Sequence, residues 1–334
     1  MYSEQDIASA VEAGILTKET ALALRNHIAG NSSTPAVDEE SFRLITGFND
    51  IFVVIASLLL LTSVTWLGSS VSLVLGLALQ TVTAWGLAEY FTRKRRMALP
   101  SIMLLLAFVG GVLATGMMFL QAVGFTEEIS IGGPSMIAAL AAWLHWLRFK
   151  VPITVAAGTA VLVAGIMLLL IASFPETRHW LMLITFIAGM GVFALAMLWD
   201  SADTLRQTRR SDVAFWLHLI AAPLIVHPVF TALNIFDTQI GIWQATSVTV
   251  LYIILAIISI SIDRRALMVS ALIYVLYVFN TVLEQSGVVS LGFAITAFII
   301  GSGLLLLSAF WHRCRQVIIV CYPLEIQKRL PELR

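Results

Sequence analysis

From position 51 onward the chain is dominated by long apolar runs separated by short polar connections. A membrane-crossing helix needs ~20 mostly apolar residues, with a range of ~17–25. Ten runs qualify: residues 51–67, 71–91, 101–123, 131–147, 151–173, 180–199, 213–236, 242–262, 266–283 and 288–311. No connection between them is long enough to hold a separate domain. The pattern predicts an all-α fold, a polytopic transmembrane helix bundle of about ten spans over residues 51–311.

The first fifty positions follow another rhythm. Ser3 begins Ser-Glu-Gln-Asp, with an acid three residues after the serine as in a capping box. Ile7 and Val11 repeat at i, i+4, and Gly14 stands where a helix ends in the left-handed conformation. Thr17 is placed to cap a second helix with Leu24 and Ile28 as its apolar stripe. Residues 30–37, GNSSTPAV, read as a linker. Residues 1–37 are therefore expected to form a cytoplasmic helical hairpin plus linker. Residues 38–50 are expected to form an amphipathic lead-in helix opened by Asp38, Glu39 and Glu40, acids suited to a helix N-terminus. A hairpin this small cannot bury enough surface to stand alone, so it is expected to dock on a protein partner or on the membrane domain. Residues 1–49 lack the basic and then apolar order of a signal peptide, and the first span is expected to direct insertion.

Composition sharpens the class. Of 334 residues, 59% are hydrophobic and 12% charged, against roughly 45–50% and about 25% in soluble domains. The mean hydropathy of +0.92 excludes a soluble enzyme with a large core. Twenty basic and twenty acidic residues cancel, leaving no net field to draw nucleic acid. Two cysteines, Cys314 and Cys321, exclude a disulfide scaffold. Charge placement orients the bundle. With the N-terminus inside, every basic residue except Arg178 falls in an inner loop or a tail, as the positive-inside rule requires. Both termini are thus expected in the cytoplasm. Eight of the nine tryptophans, Trp311 among them, lie near predicted span ends, where indole rings anchor at the interface. Residues 312–334 read as a cytoplasmic interfacial tail.

Polar residues within spans are the candidates for chemistry, because ionisable groups are costly in hydrocarbon. No Asp, Lys or Arg lies in the middle of any run. The seventh run carries His218, Pro223, His227, Pro228, Thr231 and Asn234. Its prolines free backbone carbonyls, tolerated where protein or a wet cavity serves them. His227, Thr231 and Asn234 share one face, and in the ninth run Tyr277, Asn280 and Glu284 do the same, with Tyr274 beside them. Two readings stand side by side: hydrogen bonding between helices, or an outward-facing polar pocket formed by His227, Thr231, Asn234, Tyr277, Asn280 and Glu284. Gln80 and Thr83 make a smaller feature of the same type. Closely spaced small residues, including Gly110, Gly111, Gly116, Gly165, Gly189, Gly191, Gly301 and Gly303, predict helix packing seams. No zinc, nucleophile-elbow or nucleotide-loop motif is present. No catalytic, cofactor or metal residues are expected.

The run IASAVEAGILTKETALAL at positions 7–24, FRLITGFNDIF at 42–52 and FWLHLIAAPLIVHPVF at 215–230 resemble segments of predicted bacterial inner-membrane proteins that set a short helical hairpin before many spans. That resemblance implies a bacterial inner membrane and carries no catalytic residues. Two functions fit: a transporter or binding protein for a small, weakly polar molecule, or a non-transporting scaffold or regulator acting through the hairpin.

Overall fold

The computed structural model describes residues 4–31, 48–204, 206, 208–235, 241–285, 292–327 and 330–331. All regular elements among them are helical. The chain divides into two compact units, Met1–Arg43 and Leu44–Arg334.

The smaller unit holds α1 (Glu4–Glu12) and α2 (Lys18–Asn31), which pack together. The connection between them is set by local chemistry. Gly14 takes φ of +72°, a conformation glycine enters at little cost. The Oγ1 of Thr17 accepts the backbone N–H of Thr20 at 3.1 Å, satisfying an orphan donor at the start of α2. Ile7 and Ala21 are buried, while Leu24, expected on the inner stripe, is exposed. The side chain of Ile28 and the lead-in segment up to position 47 lie outside the described residues.

The larger unit is a helix bundle. Its elements are α3 (Phe48–Ser69), α4 (Leu73–Ala88), α5 (Ala98–Val123), α6 (Glu127–Phe149), α7 (Ile153–Ser173), α8 (Leu181–Ser201), α9 (Arg209–Ala232), α10 (Ile242–Ile262), α11 (Ala266–Gln285), α12 (Gly292–Ala309), α13 (Trp311–Val320) and α14 (Leu324–Gln327). A π-helical segment, Glu89–Lys94, prolongs α4, and a 3-10 turn, Pro175–Trp180, leads into α8. Helices α3 to α12 coincide with the ten apolar runs. Among the described residues seven helices are long and apolar enough to cross a membrane: α3, α5, α7, α8, α9, α10 and α11. Helix α12 joins them only together with α13, from which it is bent by 71°. Helix α4 is 16 residues long, and α6 carries Glu127, Glu128 and Arg148 at its ends. Phe52, Leu59, Ile187 and Phe298 are each at least 60% exposed, an apolar exterior that water-soluble folds do not present over such areas.

Helices α3 to α7 pack largely in chain order, and α9 lies against α7, α8 and α11. In the most apolar window of α9, 56% of residues are buried, against 17–33% for the other six spanning helices. The core forms around it from Val213, Leu217, Ala221, Ile225, Val226 and Phe230 of α9, with Val192 and Ala196 of α8 and Ala271 and Val275 of α11. Pro223 and Pro228 lie inside α9, which nevertheless continues as one helix.

Close approaches between helices fall at particular glycines. A Cβ on Gly76 would stand 2.5 Å from the carbonyl oxygen of Thr65, and one on Gly116 would stand 2.7 Å from Pro134 Cβ. A Cβ on Gly189 would lie 2.8 Å from the carbonyl carbon of Leu224, the residue whose carbonyl loses its helical donor to Pro228. Gly111 and Gly165 are also tightly faced, whereas a Cβ on Gly110, Gly191, Gly301 or Gly303 would meet nothing within 4 Å among the described residues.

Candidate functional site

The packing of α9 on α11 brings part of the predicted polar stripe together. His227 Nδ1 lies 2.8 Å from Tyr274 Oη, and the Tyr274 ring stacks on Phe230 with centroids 4.8 Å apart. Thr231 turns its hydroxyl back to donate to the carbonyl of His227 at 2.8 Å. Asn234 is exposed just past the end of α9, with φ of +53°. On α11 it is Tyr274 that bonds to α9, while Tyr277 is 42% exposed. Asn280 is half-buried. The side chain of Glu284, like residues Asp237 and Thr238, lies outside the described residues. In the smaller feature, Thr65 donates to Gln80 Oε1 at 3.2 Å on the wall of a lateral cavity of about 670 Å3. Thr83 instead bonds the Leu79 carbonyl of its own helix.

A second constellation, missed by the sequence reading, is better buried. Asp200, in the last turn of α8, accepts two bonds from Arg264 at the α10–α11 turn: Nη2 to Oδ1 at 2.7 Å and Nε to Oδ2 at 3.2 Å. The same carboxylate lies 3.3 Å from His218 Nε2, two turns into α9. Arg264 Nη2 also donates to the carbonyl and hydroxyl of Ser211 at 3.1 Å each. His218 rests edge-on against Phe193, and its Nδ1 is buried without a partner.

The neighbouring Asp263 caps α10 in the left-handed conformation, φ +57°. Its carboxylate accepts Arg206 Nη1 at 2.9 Å and the Trp311 indole N–H at 2.7 Å, with Arg315 Nη1 at 3.8 Å. Arg206 further donates to the carbonyls of Ile262 and Asp263, and Arg315 to that of Pro331. Side chains of Asp200, Arg206, His218, Asp263, Arg264 and Arg315 are all 4% exposed or less.

One placement is refined here and one expectation corrected. Arg206, Arg264 and Arg315, which the charge pattern places in inner loops or the tail, are buried partners of carboxylates. Trp311 is 1% exposed and is a buried donor to Asp263, not an interfacial anchor. The physical reason is common to both: the ends of α8 and α9, the α10–α11 turn and α13 enclose two carboxylates that need donors once water is gone. The available signal was Asp200 directly after an apolar span and the Asp263-Arg264 pair squeezed between two spans.

Chemically, the cluster joins two carboxylates to three guanidinium groups and one imidazole. A proton taken up by His218 would place a second cation on the Asp200 carboxylate beside Arg264. At the bundle's periphery, Arg148 forms a fork on Glu89 at 2.7 and 3.0 Å, and Arg178 pairs with Glu128 at the opposite end of α6. Among the described residues no group of three or more His, Cys, Asp or Glu side chains is placed to hold a metal. No protein-family profile matches the chain, and neither does any curated protein or solved structure.

Proposed function

We propose that the chain is a ten-span protein of the bacterial inner membrane, both termini cytoplasmic, that transports or binds a small, weakly polar molecule. The observation that carries this reading is α9: the most buried spanning helix, continuous through two internal prolines, whose two histidines each engage a different neighbour. His218 meets Asp200 of α8 and His227 meets Tyr274 of α11. Polar and ionisable groups in the core of a membrane bundle are costly and mark pathways by default. Prolines within a spanning helix free backbone carbonyls that protein or a wet cavity must serve. The charge bias supports the orientation, and Arg178, the exception to it, is neutralised by Glu128.

The test is single-cysteine accessibility. Cys314 and Cys321 are removed, cysteines are placed singly at Thr231, Asn234 and Asn280, and intact spheroplasts are treated with a membrane-impermeant thiol reagent. Labelling at Thr231 and Asn280, with Thr126 labelled and Thr208 protected as orientation controls, supports an outward-open pocket. Protection of all three span positions overturns it.

One observation favours the second reading, a scaffold or regulator. The hairpin unit exposes Ile15, Leu22 and Leu24, an apolar surface suited to a protein partner. Deletion of residues 1–37 that abolishes a specific complex while leaving the bundle folded would favour it.

A further inference from the structure

Where the π-helical segment that prolongs α4 meets the end of α6, cations outnumber carboxylates. Arg93, Lys94, Arg95 and Arg96 follow one another, and all four are exposed, as is Lys150 just after α6. Arg148 and Arg93 both reach Glu89, at 2.7 and 3.4 Å, which ties the two helix ends together. Among the described residues no other carboxylate pairs with these six cations. Two of the rest lean on aromatic rings instead. Arg95 donates from Nε and Nη2 to the Tyr90 hydroxyl at 3.3 Å each, with its guanidinium 5.7 Å from the ring centre. Lys150 Nζ stands 5.2 Å from the centre of the Trp146 ring. The α8–α9 and α10–α11 connections are arranged differently, since Arg206 and Arg264 are occupied by the buried carboxylates of Asp263 and Asp200.

Positive charge alone would satisfy the inside bias, but here it borders an apolar surface. The last turns of α6 before Arg148 leave Leu144 and Leu147 48% and 47% exposed, and Tyr90 is 44% exposed. A ligand that meets both surfaces carries an anionic head and apolar chains. A soluble phosphate makes no use of Leu144 and Leu147, and a zwitterionic head brings an ammonium into a field that is already positive. Guanidinium forks suit phosphate oxygens, and basic clusters beside a span attract anionic lipid. We propose that this corner binds the phosphodiester of an anionic phospholipid. Lys94, Arg95, Arg96 and Lys150 surround the headgroup, and the acyl chains lie along Leu144 and Leu147. The assignment rests on α4 and α6 crossing the bilayer, as in the ten-span reading, and is independent of transport.

Fluorescent phosphatidylglycerol titrated onto the full chain in mixed detergent micelles tests the assignment, with binding read from anisotropy. The expected result is saturable binding that unlabelled phosphatidylglycerol displaces and phosphatidylcholine does not. Arg95→Gln with Arg96→Gln is expected to raise the apparent Kd about ten- to thirtyfold, the range for two cations lost beside an anionic headgroup. Arg209→Gln with Arg210→Gln removes the same charge from another basic connection and is expected to leave the Kd unchanged. All four side chains are exposed, so neither double variant is expected to lower the unfolding midpoint. Binding that does not saturate, or equal displacement by phosphatidylcholine, overturns the assignment. Equal weakening by the two double variants also overturns it, by showing that net charge alone attracts the lipid. Displacement by inorganic phosphate at constant ionic strength overturns it in favour of a soluble phosphate ligand. Thiol labelling of a cysteine at Thr126, on the α5–α6 connection, reads the bilayer crossing separately. Selective binding absent while Thr126 is labelled from outside strikes the lipid site alone, whereas protection of Thr126 strikes the crossing and the lipid site together.

Discussion

Arg264 grips Asp200 with two nitrogens, Nη2 at 2.7 Å and Nε at 3.2 Å, and neither residue is more than 2% exposed. Breaking a buried pair by removing one partner leaves an uncompensated charge and costs about 3–5 kcal/mol. Arg264→Met is expected to lose about that much. The double change Asp200→Leu with Arg264→Met should recover most of the loss, since a well-packed apolar pair replaces the buried ions at little net penalty. A double-mutant cycle on unfolding in detergent measures both; additive losses would show that the two residues do not act as a pair.

The fork of Arg148 on Glu89 has comparable geometry, but its side chains are 41% and 32% exposed. Water and salt compete there. Arg148→Ala is therefore expected to leave the unfolding midpoint unresolved from the parent at physiological ionic strength, in contrast to Arg264→Met. Equal losses at the two sites would show that burial does not separate them.

Gly189 and Gly191 offer a matched pair on one helix. A methyl at Gly189 meets the Leu224 backbone at 2.8 Å, whereas at Gly191 it meets nothing. Gly189→Ala is expected to cost about 1–3 kcal/mol through forced separation of α8 and α9. Gly191→Ala is expected to be neutral or mildly stabilising, because alanine is the better helix former. Equilibrium unfolding of both variants decides it.

Trp311→Phe keeps an aromatic ring but removes the N–H that reaches Asp263. The loss of a hydrogen bond to a charged group costs about 1.5–3 kcal/mol, and it falls where α12 breaks into α13. The expected readout is faster tryptic cleavage after Arg313 and Arg315 in inside-out vesicles, with cleavage elsewhere unchanged. Unaltered cleavage at both sites would show that this bond does not hold α13.

The ten apolar runs were legible because their length alone specifies helices, and the turn at Gly14 and Thr17 because capping is local chemistry. The meeting of α9 with α11 was legible only as a direction. Spacing placed Tyr274 beside Tyr277, but nothing periodic says which of the two rings turns inward to His227. The Asp200–Arg264 cluster was not legible for a different reason. A charge at the end of a span reads as a topological marker, and Arg206, Arg264 and Arg315 all satisfied the inside bias, which gave no reason to pair them with an acid. What joins them is the approach of the α8–α9 connection, the α10–α11 turn and the start of α13, which no window along the chain contains.

That distance has a consequence for how the bundle is made. Asp200 emerges from the ribosome 64 residues ahead of Arg264. When α8 and α9 first meet, the carboxylate has His218 beside it but no guanidinium across from it. A half-finished bundle would hold an acid with no buried cation opposite it, and that end is expected to stay hydrated until the α10–α11 hairpin arrives. Closure of this one pair makes the α10–α11 hairpin a condition for completing the α8–α9 hairpin, so a chain truncated before Arg264 is expected to be recognised by quality control and not to persist as a smaller bundle.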